Sequence, residues 1–147
     1  PDLLDPGVDI DAIVERARGV AGRGRSLVDV LLDQRIAAGI GNVYKSELMF
    51  LHGLHPTTGV DALSPDALRT VYGDAVRLLN LNLKTKRRTT VPTRRRPTPV
   101  SPRLWVYGRA GDPCLECGSA ILRLVQGDMA RSTYYCPTCQ PVKHPQG

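Results

Sequence analysis

Leu32-Asp33-Gln34-Arg35-Ile36-Ala37-Ala38-Gly39-Ile40-Gly41-Asn42-Val43-Tyr44-Lys45-Ser46-Glu47 decides the reading of this chain. It has the form of a helix end, a glycine turn and a second helix start. Gly39 and Gly41 admit backbone angles and a close approach that a side chain would block. Asn42 is a strong N-cap candidate for a helix running through Tyr44, Leu48 and Phe50. A helix start with free N–H groups and no adjacent carboxylate suits a phosphate. The same spacing also suits a plain helical hairpin whose turn needs glycine.

Working outward toward the N-terminus, Ser26 caps a helix through Leu27, Val30, Leu31 and Gln34. Before it, Ile10, Ile13, Val14 and Ala17 recur at helical spacing, with Asp9 or Asp11 as the cap. Pro1 to Gly7 is an extended or loop segment bounded by proline. Toward the C-terminus, Gly53 and Pro56 stop the second helix of the motif. Lys45 and Tyr44 lie in its first turn, where they could reach a phosphate, although core packing suits Tyr44 equally. Glu47 is expected to serve as a hydrogen-bond or ion-pair partner. His52 and His55 at the helix end are expected to be solvated or to compensate the helix dipole. Ser64-Pro65-Asp66 starts a further helix, with proline at its first position, that runs to about Lys84.

Composition then shifts. Between Leu83 and Gly111 lie Lys84, Lys86, Arg87, Arg88, Arg94, Arg95, Arg96, Arg103 and Arg109 with no acidic residue before Gly111. Pro92, Pro97, Pro99 and Pro102 work against regular structure there. Clustered cations attract a polyanion, and each phosphate contact would release counterions. The same run could equally be a solvated basic loop. Leu104 to Arg109 has the composition of a strand.

Four cysteines complete the chain, as Cys114-x2-Cys117 and Cys136-x2-Cys139. Two such pairs at this interval place four thiolates around one zinc ion. With no water position left among the ligands, the zinc is structural, pinning a segment too small to hold itself together. Residues 120–125 and 132–135 read as two strands joined at Gly127-Asp128.

The whole chain of 147 residues suits one domain, or one small domain with an appendage. Its formal charge of +6 points to an anionic partner. No apolar run is long enough for a membrane span, and the start does not read as a signal peptide. Cysteines confined to a metal motif favour a reducing compartment, so a cytoplasmic, monomeric protein is expected.

The words Leu-Leu-Asp-Gln, Gly-Ile-Gly-Asn-Val-Tyr and Ser-Glu, with Val106-Tyr107-Gly108-Arg109 and Arg131-Ser132-Thr133-Tyr134-Tyr135-Cys136-Pro137, resemble the formamidopyrimidine-DNA glycosylase/endonuclease VIII (Fpg/Nei) family over about residues 1–140. The resemblance implies a mainly α fold with a small β zinc finger. A helix–two-turns–helix domain (1–86) would precede a basic Pro-rich linker (87–103) and a four-Cys zinc β-hairpin with its tail (104–147). It implies contacts to damaged or abasic double-stranded DNA, nucleoid-associated when bound, from Gly39, Gly41, Asn42, Tyr44, Lys45, Arg109 and Arg131. Asn42 and the glycine-turn amides would grip phosphates, and Arg131 would enter the groove, where its planar fork pairs with phosphate oxygens. Valine at position 28, where the Fpg branch often carries lysine, suggests the Nei side or a lost phosphate contact.

Family members open on a proline nucleophile followed by glutamate, within a β-sandwich that has no counterpart in these residues. Pro1-Asp2 resembles the linker between the family's two domains instead. No amine–carboxylate pair for base excision is apparent. The expectation is therefore a DNA-binding half that does not excise bases by itself. The alternative is a piece of a full glycosylase and abasic-site lyase. A zinc module for protein partners is a weaker third reading, because it leaves the basic surface without a purpose.

Overall fold

The computed structural model describes residues 1–83, 88–92, 103–127 and 130–142. Within them the chain is mostly helical, with one small antiparallel sheet: α1 (Ile10–Arg18), α2 (Leu27–Leu32), α3 (Asn42–Leu51), α4 (Pro65–Leu81), β1 (Leu122–Gln126) and β2 (Arg131–Tyr135).

Three of the helix starts are fixed by local chemistry. Asp9, Ser26 and Ser64 each accept a backbone N–H from three residues on, which satisfies a donor that the helix itself cannot. Ser64 is followed by Pro65 at the first helical position. Helix α4 stops at Leu81, short of the expected Lys84. The Asn82 side chain there takes the Leu78 and Thr89 carbonyls and receives the Thr89 N–H, so the chain leaves the helix axis.

Ile13, Val14 and Ala17 of α1, Leu27, Val30 and Leu31 of α2, Leu48 and Met49 of α3 and Leu68, Val71, Tyr72 and Leu78 of α4 form one core. Each fully buried aliphatic side chain contributes on the order of 2 kcal/mol. Pro1–Leu3 runs beside the glycine turn: the Leu3 N–H donates to the Ala38 carbonyl, and the Ala38 N–H to that of Pro1. This pairing buries Leu3 completely.

Helix α3 holds the molecule together. Every residue from Val43 to Phe50 is buried, because α2 and α4 cover one side and the zinc-motif segment the other. Its apolar residues divide between two cores. Leu48 and Met49 join the helical one, while Phe50 joins Val106, Cys114, Ile121 and Cys136 and stacks on Trp105 at 5.3 Å.

The polar triplet Lys45-Ser46-Glu47 is almost fully buried against main-chain atoms of the later segment. Lys45 donates to the Ser132 carbonyl at 2.9 Å, and Ser46 Oγ accepts the Tyr134 N–H at 3.2 Å. Glu47 Oε1 accepts the Trp105 N–H at 2.6 Å and the Thr90 hydroxyl. Its Oε2 accepts the N–H groups of Val106 and Tyr107 at 2.9 and 3.1 Å.

That carboxylate explains why residues 104–109 do not form the expected strand. Three successive N–H groups turn inward onto one acidic group, so the segment coils around it as a series of bends and turns. The expected strands 120–125 and 132–135 do form, as 122–126 and 131–135, pairing Leu122 with Tyr135 through Gln126 with Arg131. Much of the basic Pro-rich run, including Lys84, Lys86, Arg87 and Arg94 to Arg96, lies outside the described residues. So do Asp128 of the hairpin turn and the tail from Lys143.

Candidate nucleic-acid interface and metal centre

The turn between α2 and α3 begins at Asp33. Its carboxylate accepts Nη1 of Arg25 at 2.8 Å, the Arg35 N–H at 2.9 Å, and Nε and Nη2 of Arg35 at 3.1 and 3.0 Å. Arg35, then Arg25, holds the Asp33 carboxyl well below the usual carboxylate range, against the opposing effect of burial. Gln34 closes the turn by donating to the Leu32 and Ile40 carbonyls and accepting the Gly39 N–H.

The two glycines of the turn play different parts. Gly39 has φ +131°, and a Cβ there would lie 3.1 Å from Cδ1 of Leu79. Glycine is required by the fold at that position. Gly41 has φ −105° and ψ −170°, an extended conformation open to any residue, and a Cβ there would meet nothing within 4 Å. The fold needs no glycine at 41, and the bare backbone leaves open space before α3.

Gly41, rather than Asn42, occupies the N-cap position, with no side-chain cap bond; Asn42 is the first helical residue. The expected capping role fails because the Asn42 amide is engaged one turn onward, where Oδ1 accepts from Lys45 Nζ at 3.2 Å. The start of α3 thus lacks a side-chain cap and has open space where a Gly41 Cβ would sit, as an anion site requires.

The remaining candidates are distributed around this start. Lys45 is only 1% exposed, so it stands behind the surface rather than on it. Burial pushes its ammonium down to about 8; Arg131 adds in the same direction and Asp29 opposes. Tyr44 packs in the helical core, its ring 6.0 Å from the Arg88 guanidinium, and burial raises its hydroxyl pKa. Arg131 opens β2 and lines a cleft of about 200 Å3 with Lys45, Arg25, Arg35, Asp29 and Gln126. Gly127 closes this cleft so tightly that a Cβ there would lie 2.8 Å from Asp29 Oδ1.

Arg109 sits apart from this group. Its guanidinium donates to the Trp105 and Pro113 carbonyls at 2.8 and 2.9 Å, and its Nε is 3.8 Å from Asp112. It braces the loop before the first cysteine pair. His52 pairs with Asp74 of α4 at 3.1 Å, and His55 accepts the Thr57 N–H and lies edge-on to Tyr135.

Sequence reasoning missed Arg25, Asp33 and Arg35 as a cleft wall, and it missed the Gln126 bond to the Pro56 carbonyl. Asp33 next to Arg35 was a readable local pair. The Gln126 contact spans 70 residues and leaves no local trace.

The sulfurs of Cys114, Cys117, Cys136 and Cys139 all lie within 4.8 Å of one another, with Cys114–Cys139 at 3.8 Å and Cys117–Cys136 at 3.4 Å. A regular tetrahedron with zinc–sulfur bonds of ~2.3 Å has edges of ~3.8 Å, so the set fits one zinc ion. The Cys139 N–H donates to the Cys136 sulfur at 3.4 Å, and Gln140 ties the knuckle by accepting the Cys136 N–H and donating to the Leu54 carbonyl. Four thiolates this close together repel one another unless a cation lies among them.

Comparison with known proteins agrees with this division. The family profile of the formamidopyrimidine-DNA glycosylase H2TH domain matches residues 1–93, and that of the zinc finger found in FPG and IleRS matches residues 111–142. The four-cysteine cluster is accordingly the site of one structural zinc ion.

"Probable endonuclease 8 2" of Streptomyces coelicolor is 43% identical over 100% of this chain and 52% of its own length. "DNA-(apurinic or apyrimidinic site) lyase Nei2" of Mycolicibacterium smegmatis is 44% identical over 95% of this chain and 52% of its own. Formamidopyrimidine-DNA glycosylase of Thermosynechococcus vestitus is 40% identical over 80% and 42%. Among solved structures, MutM (FPG) protein of Thermus thermophilus superposes with a TM-score of 0.76 at 31% identity, over 95% of this chain and 53% of that one. The chain thus spans about half the length of the relatives it matches.

Proposed function

This chain belongs to the Fpg/Nei family of DNA glycosylases, and on that premise we propose that it forms the DNA-gripping half of a base-excision-repair enzyme. In this reading α2, α3 and the turns between them are the helix–two-turns–helix of a domain spanning 1–86. The zinc hairpin (104–147) supplies Arg131 from across the cleft, and 87–103 links the two. The observation that carries the proposal is the short connection between the two gripping points. Asn42 and the residue after Arg131 are held by one side chain, Lys45, so helix tip and finger meet at a single ammonium.

Duplex DNA with a damaged or abasic nucleotide is the partner to test, because relatives carry names of glycosylases and of an abasic-site lyase. The open N–H groups before α3 would take one phosphate, and Arg131 another. The catalysis of the whole family would then belong to a proline-led domain outside these residues.

Fluorescence anisotropy against a duplex bearing an abasic analogue provides the test. Log affinity should fall linearly with log salt, since each neutralised phosphate releases counterions. Asn42→Ala and Arg131→Ala should each weaken binding by about 1–3 kcal/mol. Salt-independent binding, or unchanged affinity in both variants, would refute the grip. Borohydride trapping on abasic DNA should give no covalent adduct from this chain, and an adduct would favour the full-lyase alternative.

A further inference from the structure

Lys45 is a buried cation with no carboxylate within ion-pair distance among the described residues. Its two acceptors are neutral oxygens from two separate elements: Oδ1 of Asn42 in α3 at 3.2 Å and the Ser132 carbonyl in β2 at 2.9 Å. Ser132 directly follows Arg131. A single ammonium therefore ties the tip of α3 to the strand that carries the cleft arginine.

The chemistry of the asparagine amide gives this tie a direction. An amide has an acceptor end and a donor end, and they exchange places by a half-turn of the side chain. A phosphate is an acceptor only, so it binds the NH2 end and repels the oxygen. Lysine is a donor only. With Lys45 on Oδ1, the Asn42 NH2 is the end left over, and it has no partner among the described residues.

We propose that Lys45 is a positioning residue for DNA binding: it locks the Asn42 amide with its donor end outward and sets the spacing between Asn42 and Arg131. This rests on the phosphate-grip reading above and adds to it a residue that touches no DNA. Being 1% exposed, Lys45 acts through Asn42 and β2. The expectation that it would itself reach a phosphate is replaced by this role.

The experiment measures affinity for the abasic-analogue duplex across a salt series, using this chain in its zinc-loaded form. Zinc content and melting temperature are checked for every variant. Lys45→Met keeps the length of the stem and removes the donor; it should weaken binding about tenfold, the scale of one lost positioning hydrogen bond. The double variant with Asn42→Ala should stay within about threefold of Asn42→Ala alone, because coupled residues are not additive. The salt slope of Lys45→Met should equal that of the parent, whereas Arg131→Ala should lower it by about one.

Asn42→Asp supplies a test that keeps Lys45 in place. The carboxylate pairs with Lys45 and preserves the fold, yet offers no donor to phosphate, so binding should fall at least as far as in Asn42→Ala. Parent-like affinity in Lys45→Met or Asn42→Asp would overturn the proposal. So would multiplicative losses in the double variant, or a salt slope reduced by one in Lys45→Met. An unchanged affinity in Asn42→Ala alone would instead strike the grip reading on which it rests.

Discussion

Replacing Glu47 by Gln changes one atom and tests whether the seam between the two halves is held by charge. In the parent, Oε1 serves the Thr90 hydroxyl and the Trp105 N–H, and Oε2 serves the Val106 and Tyr107 N–H groups. Glutamine has one carbonyl oxygen and one NH2. If the NH2 takes the Oε2 place, two buried N–H groups face a donor. If it takes the Oε1 place, the Thr90 hydroxyl can rotate to accept, and only the Trp105 N–H is orphaned. The second arrangement wins.

Its cost is one unsatisfied buried donor, about 1–3 kcal/mol, plus the weakening of the remaining bonds when the acceptor loses its charge. The sum is about 2–4 kcal/mol, or roughly 6–12 °C in melting temperature for a chain of this size. The loss should be concentrated at the seam. Hydrogen exchange at the amides of residues 105–107 should accelerate by orders of magnitude while amides in α1 and α4 respond only to the global change. A melting temperature within about 1 °C of the parent, with unchanged protection at 105–107, would refute this account of the seam.

Chelating the zinc should unfold the hairpin and its small core around Val106 and Ile121 while the helical signal in far-UV circular dichroism persists, and readdition should restore it; a fully cooperative loss of both would contradict this. Asp33→Asn should be less stable than the parent at neutral pH. A carboxyl whose pKa is depressed on folding contributes stability above its unfolded value and loses it as pH falls through its folded value, so the gap should begin to narrow below about pH 4 and vanish only in much stronger acid in melting scans. Gly39→Ala should destabilise by about 1–3 kcal/mol, because φ +131° is strained for any side chain and Leu79 stands in the way. Gly41→Ala should melt like the parent and bind the abasic duplex more weakly, since its methyl group would fill only the space before α3.

Local chemistry was legible in the sequence. Asp9, Ser26 and Ser64 cap helices because their partners lie three residues away, and the two Cys-x2-Cys pairs declare their geometry by spacing alone. The glycine turn was legible as a turn, but the separate roles of Gly39 and Gly41 depend on Leu79, which arrives from α4. Asn42 satisfied every local rule for a cap and lost that role to Lys45, whose burial depends on β2. Leu104 to Arg109 has strand composition and coils instead, because Glu47, 58 residues earlier than Trp105, collects its N–H groups. What stayed hidden was contact between distant segments.

The triplet Lys45-Ser46-Glu47 meets its partners almost wholly through peptide groups, and this makes the joint asymmetric. Peptide groups are the same whatever side chain they carry. Residues 105–107 and 132–134 can therefore change identity, so long as the chain keeps its path, without disturbing their bonds to α3. No such freedom exists at positions 45, 46 and 47, where each functional group is matched to a donor or acceptor. A library randomising both sides of the joint should recover exchanges on the finger limited only by packing, as at Trp105 and Val106 of the second core, and near-uniformity on the helix.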